Sequence, residues 1–312
     1  MNTLFVSPSY RCNENCIFCP RHKISKLYKP IPLDIIIKSI TDAIEKKSIE
    51  MILISGGEPT LYKDLTTIIT TANQLNLKIG ILSNSLKFAD NNFCKTFIDT
   101  VGNNFELTTA FHSHIAEEHD KITGVKGSFD KSLKGVYNLI NAEVRITIKY
   151  IINGISFNKL PEFIEWVYNS FPDSVSLVLC NMDLCGEALN NSNLAAVPFN
   201  ISKKYVENAL DVIIQYSKKN RLRNVSVFNT PLCCIDPYYW TFLRKYESEE
   251  SMAALLLPSI ENQTNPIIQY GLKGDGGANF SPCTNCAVKN ICPGTWRKTA
   301  EYFGNDIFKP FK

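Results

Sequence analysis

Three cysteines close to the N-terminus place the strongest constraint on the fold and chemistry of this chain. Cys12, Cys16 and Cys19 have the spacing C-x3-C-x2-C, and Phe18 stands directly before the last of them. Three thiolates on one short loop can bind three irons of a 4Fe–4S cluster, which leaves the fourth iron open to a small molecule. A zinc knuckle is the alternative, but zinc takes four ligands, so the fourth would come from His22 or a distant residue. The spacing therefore favours an iron–sulfur site.

A glycine pair follows the next apolar run of the sequence. The run Met51–Ile54 predicts a short buried strand. Gly56 and Gly57 then allow a tight turn and a close approach of the backbone to a ligand, and Glu58 and Pro59 follow them. An ordinary strand-to-helix turn has a similar composition, so this segment gains meaning only in combination with the cysteine motif.

Together the two motifs resemble the signature of the radical S-adenosylmethionine (SAM) enzymes. The resemblance implies that the cluster on the three cysteines donates one electron to SAM. The resulting 5′-deoxyadenosyl radical then removes a hydrogen atom from a substrate. It implies further that Phe18 and the segment Gly56–Pro59 lie at the cofactor, the latter against the amino group of SAM. Ser83 and Asn84 are then expected near its ribose or carboxylate, although an Asn in a turn after a strand is common.

Strand and helix patterns alternate along the first two thirds of the chain. Short apolar or alternating runs predict strands at Thr3–Val6, Met51–Ile54, Lys78–Leu82, Phe105–Phe111, Val144–Ile152, Val175–Cys180 and Val225–Phe228. Helical periodicity predicts helices that begin near Leu33 or cover Leu65–Leu75, Phe129–Ile140, Leu160–Phe171 and Lys204–Lys219. Such alternation predicts a parallel sheet with helices outside it.

The family resemblance implies a more specific architecture: an α/β fold built as a partial (β/α)6 barrel with a small C-terminal iron–sulfur extension. Sites in barrels lie at the C-terminal ends of the strands, so we expect the cluster and SAM there. We assign residues 1–200 to the barrel and residues 201–312 to the extension, because the alternation ends near residue 190 and Asn190–Asn200 is typical of a loop.

A second group of cysteines lies near the C-terminus. Cys283, Cys286 and Cys292 form C-x2-C-x5-C, and either Cys233 or Cys234 could complete a four-cysteine shell. The arrangement resembles the auxiliary-cluster domains called twitch and SPASM. That resemblance implies one additional 4Fe–4S cluster, since five cysteines are too few for two, and we prefer Cys233 as the fourth ligand. Structural zinc bound by four thiolates is the alternative.

The C-terminal pattern is also similar to that of peptide-modifying radical maturases. Pro231–Cys233, with Trp240 and Phe242 downstream, loosely resembles the maturases of His-Xaa-Ser repeat peptide systems. This resemblance implies a ribosomally made peptide as substrate, modified by crosslinking, thioether formation or epimerisation. It also implies an electron donor such as flavodoxin or ferredoxin. Because Cys12 stands so near the first residue, we expect any leader-binding protein to be a separate chain.

Two alternatives to peptide modification are open at the level of the sequence. The first is radical modification of a small metabolite such as a sugar, a nucleoside or an amino acid. The second belongs to another class, a non-catalytic zinc or iron–sulfur protein in which the glycine-pair segment is incidental. Binding and cleavage of SAM distinguish the second alternative from both enzymatic ones.

Several other polar residues follow the predicted strands. Cys185 is a candidate hydrogen-atom donor to a substrate radical, as in some radical epimerases, although most cysteines are buried and inert. One of Thr108 and Thr109 must point into the barrel, since strand residues alternate between faces. Arg145 or Lys149 could bind a carboxylate if their face of the fifth strand lines the barrel, whereas charged residues at strand ends are more often solvated.

Three histidines and one glycine-rich segment have weaker signals. His112, His114 and His119 lack the spacing of a helical zinc pair, so we interpret them as part of a loop near the site or of a surface helix. Residues 261–282 are interpreted as a loop or lid. The glycines around Gly274 resemble a phosphate loop only superficially, because no strand precedes them.

The overall composition argues against several classes of function. The net charge of +3 with 20% charged residues predicts no strong attraction to nucleic acids or membranes. The sequence has no apolar run of about twenty residues, as a membrane span requires, and its N-terminus lacks the features of a signal peptide. Eleven cysteines without a secretion signal indicate the reducing cytoplasm, where clustered cysteines bind metals or clusters rather than forming disulfides.

Overall fold

The computed structural model describes residues 2–21, 23, 25–244, 252–258, 267–270 and 280–312. These residues form one sheet of ten strands in the order β10-β9-β1-β2-β3-β4-β5-β6-β7-β8. All neighbours are parallel except the pair β9 and β10. The strands are β1 Thr3–Val6, β2 Met51–Ile54, β3 Lys78–Leu82, β4 Glu106–Ala110, β5 Arg145–Ile152, β6 Ser176–Asn181, β7 Val225–Phe228, β8 Leu243–Arg244, β9 Met252–Leu257 and β10 Ile267–Tyr270.

Helices connect the parallel strands and cover one face of the sheet. They are α1 Leu33–Lys47, α2 Leu65–Gln74, α3 Asn91–Val101, α4 Ala116–Thr123, α5 Ser128–Asn141, α6 Leu160–Ser170, α7 Glu187–Asn190, α8 Ser192–Ala195, α9 Phe199–Lys218 and α10 Arg297–Phe303. In the part of the chain that the structure covers, no helix is long and apolar enough to cross a membrane.

Helix α1 illustrates why these segments are helical and how they pack. Ile36, Ile40 and Ala43 recur at helical spacing and are fully buried against the sheet. Asp34 lies in the first turn, and Lys46 and Lys47 lie in the last turn. Each of these charges is favourable in the field of the helix dipole.

Each strand of the barrel has a helix-covered face and a face that points into the barrel, which we call the lumen face. On β5, Tyr150 packs against Phe163 of α6 with ring centroids 4.6 Å apart and is 1% exposed. Its neighbour Lys149 lies on the lumen face, because successive strand residues point to opposite sides. The six βα units from β1 to β6 confirm the predicted α/β partial barrel.

The bounds of the predicted elements agree with the structure to within one or two residues through β6, whereas α3 was not predicted. Helix α9 begins at Phe199, five residues before the predicted Lys204, because Pro198 can start a helix and Phe199 is buried. The loop predicted over Asn190–Asn200 is wrong in part, since it contains all of α8, the end of α7 and the start of α9. Of the loop predicted over 261–282, only β10 and residues 280–282 are described, and the glycines around Gly274 lie outside the described residues.

The strands β9 and β10 form a hairpin that the sequence analysis did not predict. Its first strand pairs in parallel with β1, so that Val6 lies opposite Leu256. The backbone N–H of Ser7 also donates to the carbonyl of Leu256 at 3.0 Å. The strand that leads into the cysteine motif is therefore covered on both edges, by β2 and by β9.

Two of the three histidines after β4 are buried. His112 lies in the loop after β4, as one interpretation expected, whereas His119 lies on α4 in the interior and not at the surface. His119 of α4 is fully buried and packs between Phe111 and Phe129, with ring centroids 5.5 and 5.6 Å away. Its Nδ1 accepts the backbone N–H of His112 at 3.2 Å. Burial lowers the pKa of His119 to about 4, so the ring is neutral in the folded protein at pH 7.

We expect His119 to make the stability of the protein depend on pH. Its folded pKa of about 4 lies below the unfolded value of 6.5. Stability is therefore fully present above about pH 6.5 and is lost as the pH falls towards 4. Between pH 7 and pH 5 the loss from this residue is about 2 kcal/mol. His119→Gln keeps an acceptor and removes the titration, so urea unfolding should show a smaller loss between these two pH values.

Lys121→Gln on the same helix is the control for this substitution, because Lys121 is exposed. Its pH dependence should match that of the wild type. Equal losses of stability for the wild type and for His119→Gln would contradict the assignment.

Candidate functional site

Residues 7–21, here called the cysteine loop, follow β1 and carry Cys12, Cys16 and Cys19. Backbone hydrogen bonds hold this loop on two sides. They run from Gly57 to Ser9 at 2.8 Å, from Glu58 to Arg11 at 2.8 Å, from Asn15 to Thr123 at 2.8 Å and from Ile17 to Ile122 at 2.9 Å. The loop is thus fixed between the end of β2 and the end of α4, at the C-terminal side of the sheet.

The glycine pair allows the backbone of the cysteine loop to approach the end of β2. Gly56 has a φ of +107°, and a Cβ there would lie 2.4 Å from the carbonyl oxygen of Ser9. A Cβ on Gly57 would lie 2.1 Å from the carbonyl oxygen of Arg11. The sequence analysis expected a ligand at this close approach, and the structure places the protein's own loop there. No residue in the described ranges donates a hydrogen bond to the carbonyl groups of Gly56 and Gly57.

The carboxylate of Glu58 is the centre of a buried hydrogen-bond network. It is 3% exposed. Its Oε1 accepts from the N–H and the hydroxyl of Thr60 at 3.0 and 2.6 Å, and from the hydroxyl of Ser83 at 2.8 Å. Its Oε2 accepts the N–H of Asn84 at 2.8 Å. Burial raises the pKa of Glu58, and the four donors oppose that shift. The side chain therefore connects the ends of β2 and β3.

Ser83 and Asn84 lie next to the cysteine loop. The Nδ2 of Asn84 donates to Oδ1 of Asn13 at 2.7 Å, while its Oδ1 accepts the N–H of Leu86 at 3.2 Å. Ser83 is buried and bonded to Glu58. The structure therefore brings both predicted residues to the C-terminal mouth of the barrel, where Asn84 helps to orient the loop between the first two cysteines.

The three thiols of the cysteine loop form a donor set that fits a cluster. Cys12 is exposed, whereas Cys16 and Cys19 are partly buried. The N–H of Glu14 donates to the sulfur of Cys12 at 3.4 Å. Desolvation of the thiol, together with the nearby carboxylates, raises the pKa of Cys12 to about 12. Ionisation at neutral pH therefore requires a strong positive charge, and bound iron ions supply one.

Phe18 contacts one of the buried histidines. Its ring meets the ring of His112 edge to face at a centroid distance of 4.9 Å. Burial, followed by the charges of His119 and Lys149, holds the pKa of His112 well below its usual value. Its Nδ1 is buried without a hydrogen-bond partner among the residues described. Sequence reasoning allowed a loop near the site for His112 but gave this residue no specific role, because its spacing carries no motif.

Cys185 lies in the turn after β6, and this turn packs on the cysteine loop. Gly186 has a φ of +53°, and a Cβ there would lie 2.7 Å from the Cα of Pro20. Glu187 forms an ion pair with Lys23 at 2.7 Å. Burial and then the neighbouring Asp183 raise the pKa of Cys185 to about 11. Its sulfur therefore keeps its proton at neutral pH, as a hydrogen-atom donor must.

Four cysteines of the C-terminal region line one cavity. These are Cys233, Cys283, Cys286 and Cys292. The rest of the lining is largely apolar, with Pro231, Phe280, Pro282, Val288, Phe308 and Pro310. The sulfur of Cys292 accepts the N–H groups of Leu232 and Gly294, each at 3.4 Å. Such N–H donors stabilise a thiolate, so this donor set fits a bound cluster or metal.

Cys234 occupies a different position from Cys233. Its sulfur is buried, lies 4.0 Å from that of Cys233 and points towards the carbonyl of Ile307 at 3.9 Å. Donation by the Cys234 thiol lowers the pKa of Cys233. Within the described ranges no three histidine, cysteine, aspartate or glutamate side chains already converge on a single metal ion. The four cysteines therefore line the cavity without forming a preformed metal site in those ranges.

Helix α10 connects the C-terminal region to the turn that carries Cys185. The hydroxyl of Thr299 donates to the carbonyl of Met182 at 2.8 Å and accepts the N–H of Leu184 at 3.0 Å. Thr299 is buried, so both hydrogen bonds are shielded from water. The turn after β6 thus contacts both the cysteine loop and the C-terminal region.

The polar residues of β4 and β5 separate into two groups. Arg145 is exposed and pairs with Glu106 at 3.1 Å at the N-terminal end of the strands. It therefore lies at the end of the sheet opposite the cysteine loop, which contradicts a role for Arg145 in the barrel. Lys149 and Thr108 lie on the lumen face, whereas Thr109 is buried beneath the helices.

Comparison with known proteins identifies relatives of this chain. Residues 6–167, 162 of the 312 residues, match the family model of the radical SAM superfamily. The Fe-coproporphyrin III synthase of Methanosarcina barkeri is 23% identical over 86% of this chain and 65% of that protein. A probable GTP 3′,8-cyclase of Saccharolobus islandicus is 24% identical over 57% of this chain and 56% of that protein. The sporulation killing factor maturation protein SkfB of Bacillus subtilis is 22% identical over 51% of this chain and 38% of that protein.

These relatives are longer than this chain, which spans between 38 and 65% of their lengths. Among solved structures, SuiB of Streptococcus suis bound to S-adenosylmethionine superposes with a TM-score of 0.65. The match covers 99% of this chain and 76% of SuiB at 14% identity. At this identity the likeness concerns the fold, and it supports the partial barrel described above.

We expect Glu58→Gln to destabilise the protein and loosen the cysteine loop. In the wild type, Oε2 of Glu58 accepts the N–H of Asn84 at 2.8 Å. In the variant an amide NH2 replaces Oε2, so two donors would face each other. A buried donor left without an acceptor costs about 1–3 kcal/mol. Chemical denaturation of the apo-protein should show that loss, and the iron content after anaerobic reconstitution should fall.

Glu50→Gln is the matched control, because Glu50 is exposed and directly precedes β2. It should change the free energy of unfolding by no more than about 0.5 kcal/mol. Equal stabilities for the two variants would show that the four hydrogen bonds of Glu58 contribute nothing.

Proposed function

The chain belongs to the radical SAM superfamily, and on that premise we propose that it is an enzyme that modifies a peptide by abstracting a hydrogen atom. The observation that carries the proposal is the cysteine loop, which presents three thiols at the C-terminal mouth of a partial barrel. Cys12, Cys16 and Cys19 would hold a 4Fe–4S cluster there. When bound, the cluster and SAM would supply one-electron cleavage of SAM to a 5′-deoxyadenosyl radical.

The protein's own residues position the cofactor and substrate. The carbonyl groups of Gly56 and Gly57 are free of described donors, and a SAM ammonium group needs such acceptors. Glu58 orients this segment through its four hydrogen bonds rather than by direct contact. Asn84 fixes the loop at Asn13, so both groups act by preorganisation, which keeps the reacting atoms aligned.

We propose further that the C-terminal cysteines hold a second 4Fe–4S cluster, in a twitch-like module within residues 201–312. The four cysteines line a largely apolar cavity, and two N–H groups donate to the sulfur of Cys292. This donor set suits a cluster and structural zinc alike, and the preference for a cluster rests on the resemblance to the auxiliary-cluster domains. Cys233 is the proposed fourth ligand, and the buried Cys234 supports its thiolate form.

A peptide substrate is supported by the relatives, and a small metabolite is the second candidate. SkfB is named as a maturation protein, and SuiB has been solved bound to its precursor peptide SuiA. The similarity to the Fe-coproporphyrin III synthase and to the probable GTP 3′,8-cyclase favours a metabolite instead. A flavodoxin or ferredoxin as electron donor, a separate leader-binding protein and a cytoplasmic location belong to the same proposal. So does Cys185 as a hydrogen-atom donor.

The central experiment is anaerobic reconstitution followed by iron analysis and an assay for 5′-deoxyadenosine with dithionite as reductant. The wild type should bind about eight irons, since each cluster holds four, and should form 5′-deoxyadenosine. Replacement of Cys12, Cys16 and Cys19 by alanine should abolish product and remove about four irons. Cys94→Ala is the matched control, because Cys94 is buried in α3 away from both groups. If the fully loaded wild type formed no 5′-deoxyadenosine, the proposed enzymatic activity would be refuted.

The substrate class can be tested with fractionated cell extract. A peptide fraction should increase 5′-deoxyadenosine formation, and prior digestion with a protease should remove the effect. Stimulation confined to the protease-resistant small-molecule fraction would instead establish the metabolite alternative.

We expect Cys233 and Cys234 to differ in their effect on iron binding. Cys233→Ala removes a proposed ligand, so reconstituted protein should lose iron and show an altered electron paramagnetic resonance signal from the second cluster. Cys234→Ala removes only a neighbour whose sulfur lies 4.0 Å away, so the iron content should stay near that of the wild type. The reverse result would make Cys234 the ligand, and equal retention would leave the cavity with three cysteine ligands.

A further inference from the structure

One charged side chain on the lumen face has no role in the function proposed above. Among the described strand residues of β4–β7, three charged residues lie on the lumen face: Glu106, Arg145 and Lys149. The first two pair with each other at the exposed N-terminal end of the sheet. Lys149 is therefore the remaining charge inside the barrel on these four strands.

Lys149 is directed into the lumen and has no ionic partner. Its neighbour Tyr150 is held on the helix side by Phe163 and by a 2.6 Å hydrogen bond to Ser156, so Lys149 points the other way. The side chain is partly buried. Its ammonium forms no hydrogen bond or ion pair with a residue in the ranges that the structure describes. A charged group that is shielded from water normally has a partner of opposite charge. Lys149 has none among the described residues.

Lys149 lies at the end of β5 beside the loop that carries His112, because the backbone N–H of Phe111 donates to the carbonyl of Lys149 at 3.0 Å. The ring of His112 contacts Phe18 of the cysteine loop at 4.9 Å. The loop after β4 thus adjoins both the end of β5 at Lys149 and the cysteine motif. Burial lowers the pKa of His112, and the charge of Lys149 lowers it further.

Resting on the proposed function, we propose that Lys149 binds a carboxylate of the substrate and holds the substrate near the cysteine loop. Lys149 is accordingly a residue that determines substrate specificity and takes no part in the cleavage of SAM.

The charge balance of the subsite favours a carboxylate over a phosphate. His112 is neutral, so a single positive charge faces the space, and it balances the single negative charge of a carboxylate. A phosphate or polyphosphate carries more charge and is usually bound by several donors or a metal ion. The hydroxyls of Thr108 and Thr147 on the same face are neutral and add no further cation. An aspartate or glutamate side chain, or a peptide C-terminus, fits this balance.

The test measures how far a small carboxylate probe protects Lys149 from acetylation. This measurement does not require the natural substrate. Cluster-loaded protein with SAM is treated with an amine-reactive acetyl ester in the presence of N-acetyl-aspartic acid amide or N-acetyl-asparagine amide. These probes have the same shape and differ only in the carboxylate. Ionic strength is matched with sodium chloride. Mass spectrometry of peptides then gives the rate of acetylation at each lysine.

We expect the aspartate probe to slow acetylation of Lys149 by about threefold or more, as a direct ion pair with a partly buried cation requires. The asparagine probe should have no effect, and Lys78, exposed on β3, should react equally in both. Equal protection by the two probes, or protection by neither, would overturn the proposal.

A second arm distinguishes the substrate's carboxylate from that of SAM. The affinity for SAM is measured by equilibrium binding for the wild type, Lys149→Met, Lys149→Arg and the control Arg145→Gln. The proposal expects the SAM affinities of all four proteins to lie within about threefold of one another. The peptide fraction of cell extract should stimulate formation of 5′-deoxyadenosine by Lys149→Arg but not by Lys149→Met. A Kd for SAM raised about tenfold or more in Lys149→Met alone would assign Lys149 to SAM and overturn the proposal.

The two hypotheses fail in different ways. Absence of 5′-deoxyadenosine from the loaded wild type refutes the proposed function, whereas the protection measurement does not depend on turnover. Product formation together with an unprotected Lys149 refutes the subsite alone.

Discussion

A single buried carboxylate holds the candidate site together. Glu58 accepts four hydrogen bonds from the ends of β2 and β3, and its backbone N–H supports the cysteine loop at Arg11. In a largely water-free surrounding such bonds are strong, and leaving one of them unmade is costly. The position of three flexible thiols is thereby set by the rigid sheet. The adjacent glycines add to this, since any side chain on them would push the loop away.

The barrel could be predicted from the sequence because the patterns that indicate its strands and helices are local. Met51–Ile54 and Lys78–Leu82 are apolar runs bounded by polar residues, and both appear with the predicted bounds. The direction of individual side chains was not accessible in the same way. Alternation requires one of Thr108 and Thr109 to face inward, but only the register of β4 with β5 decides that it is Thr108. The burial of His119 likewise depends on aromatic rings from the loop after β4 and from α5.

The grouping of the cysteines illustrates the same limit. C-x3-C-x2-C lies within one loop, so its sulfurs are close for reasons of chain length alone. Cys233 and Cys283 are distant in sequence, and their common cavity arises from the packing of the C-terminal segment. The hairpin β9–β10 was missed because its first strand, β9, pairs with β1, which is distant in the sequence. Long-range pairing leaves no periodic trace in the segment itself.

The pairing of β1 with β9 has a consequence for biosynthesis. β1 is synthesised well before its partner β9, because the whole barrel sequence lies between them. One edge of the strand that leads to Cys12 therefore stays open until β9 has been made, and an open edge readily pairs with other chains. Iron insertion before that point would take place on a strand that is free along one side. The pairing of β9 closes that edge and separates early from late events in the maturation of the protein.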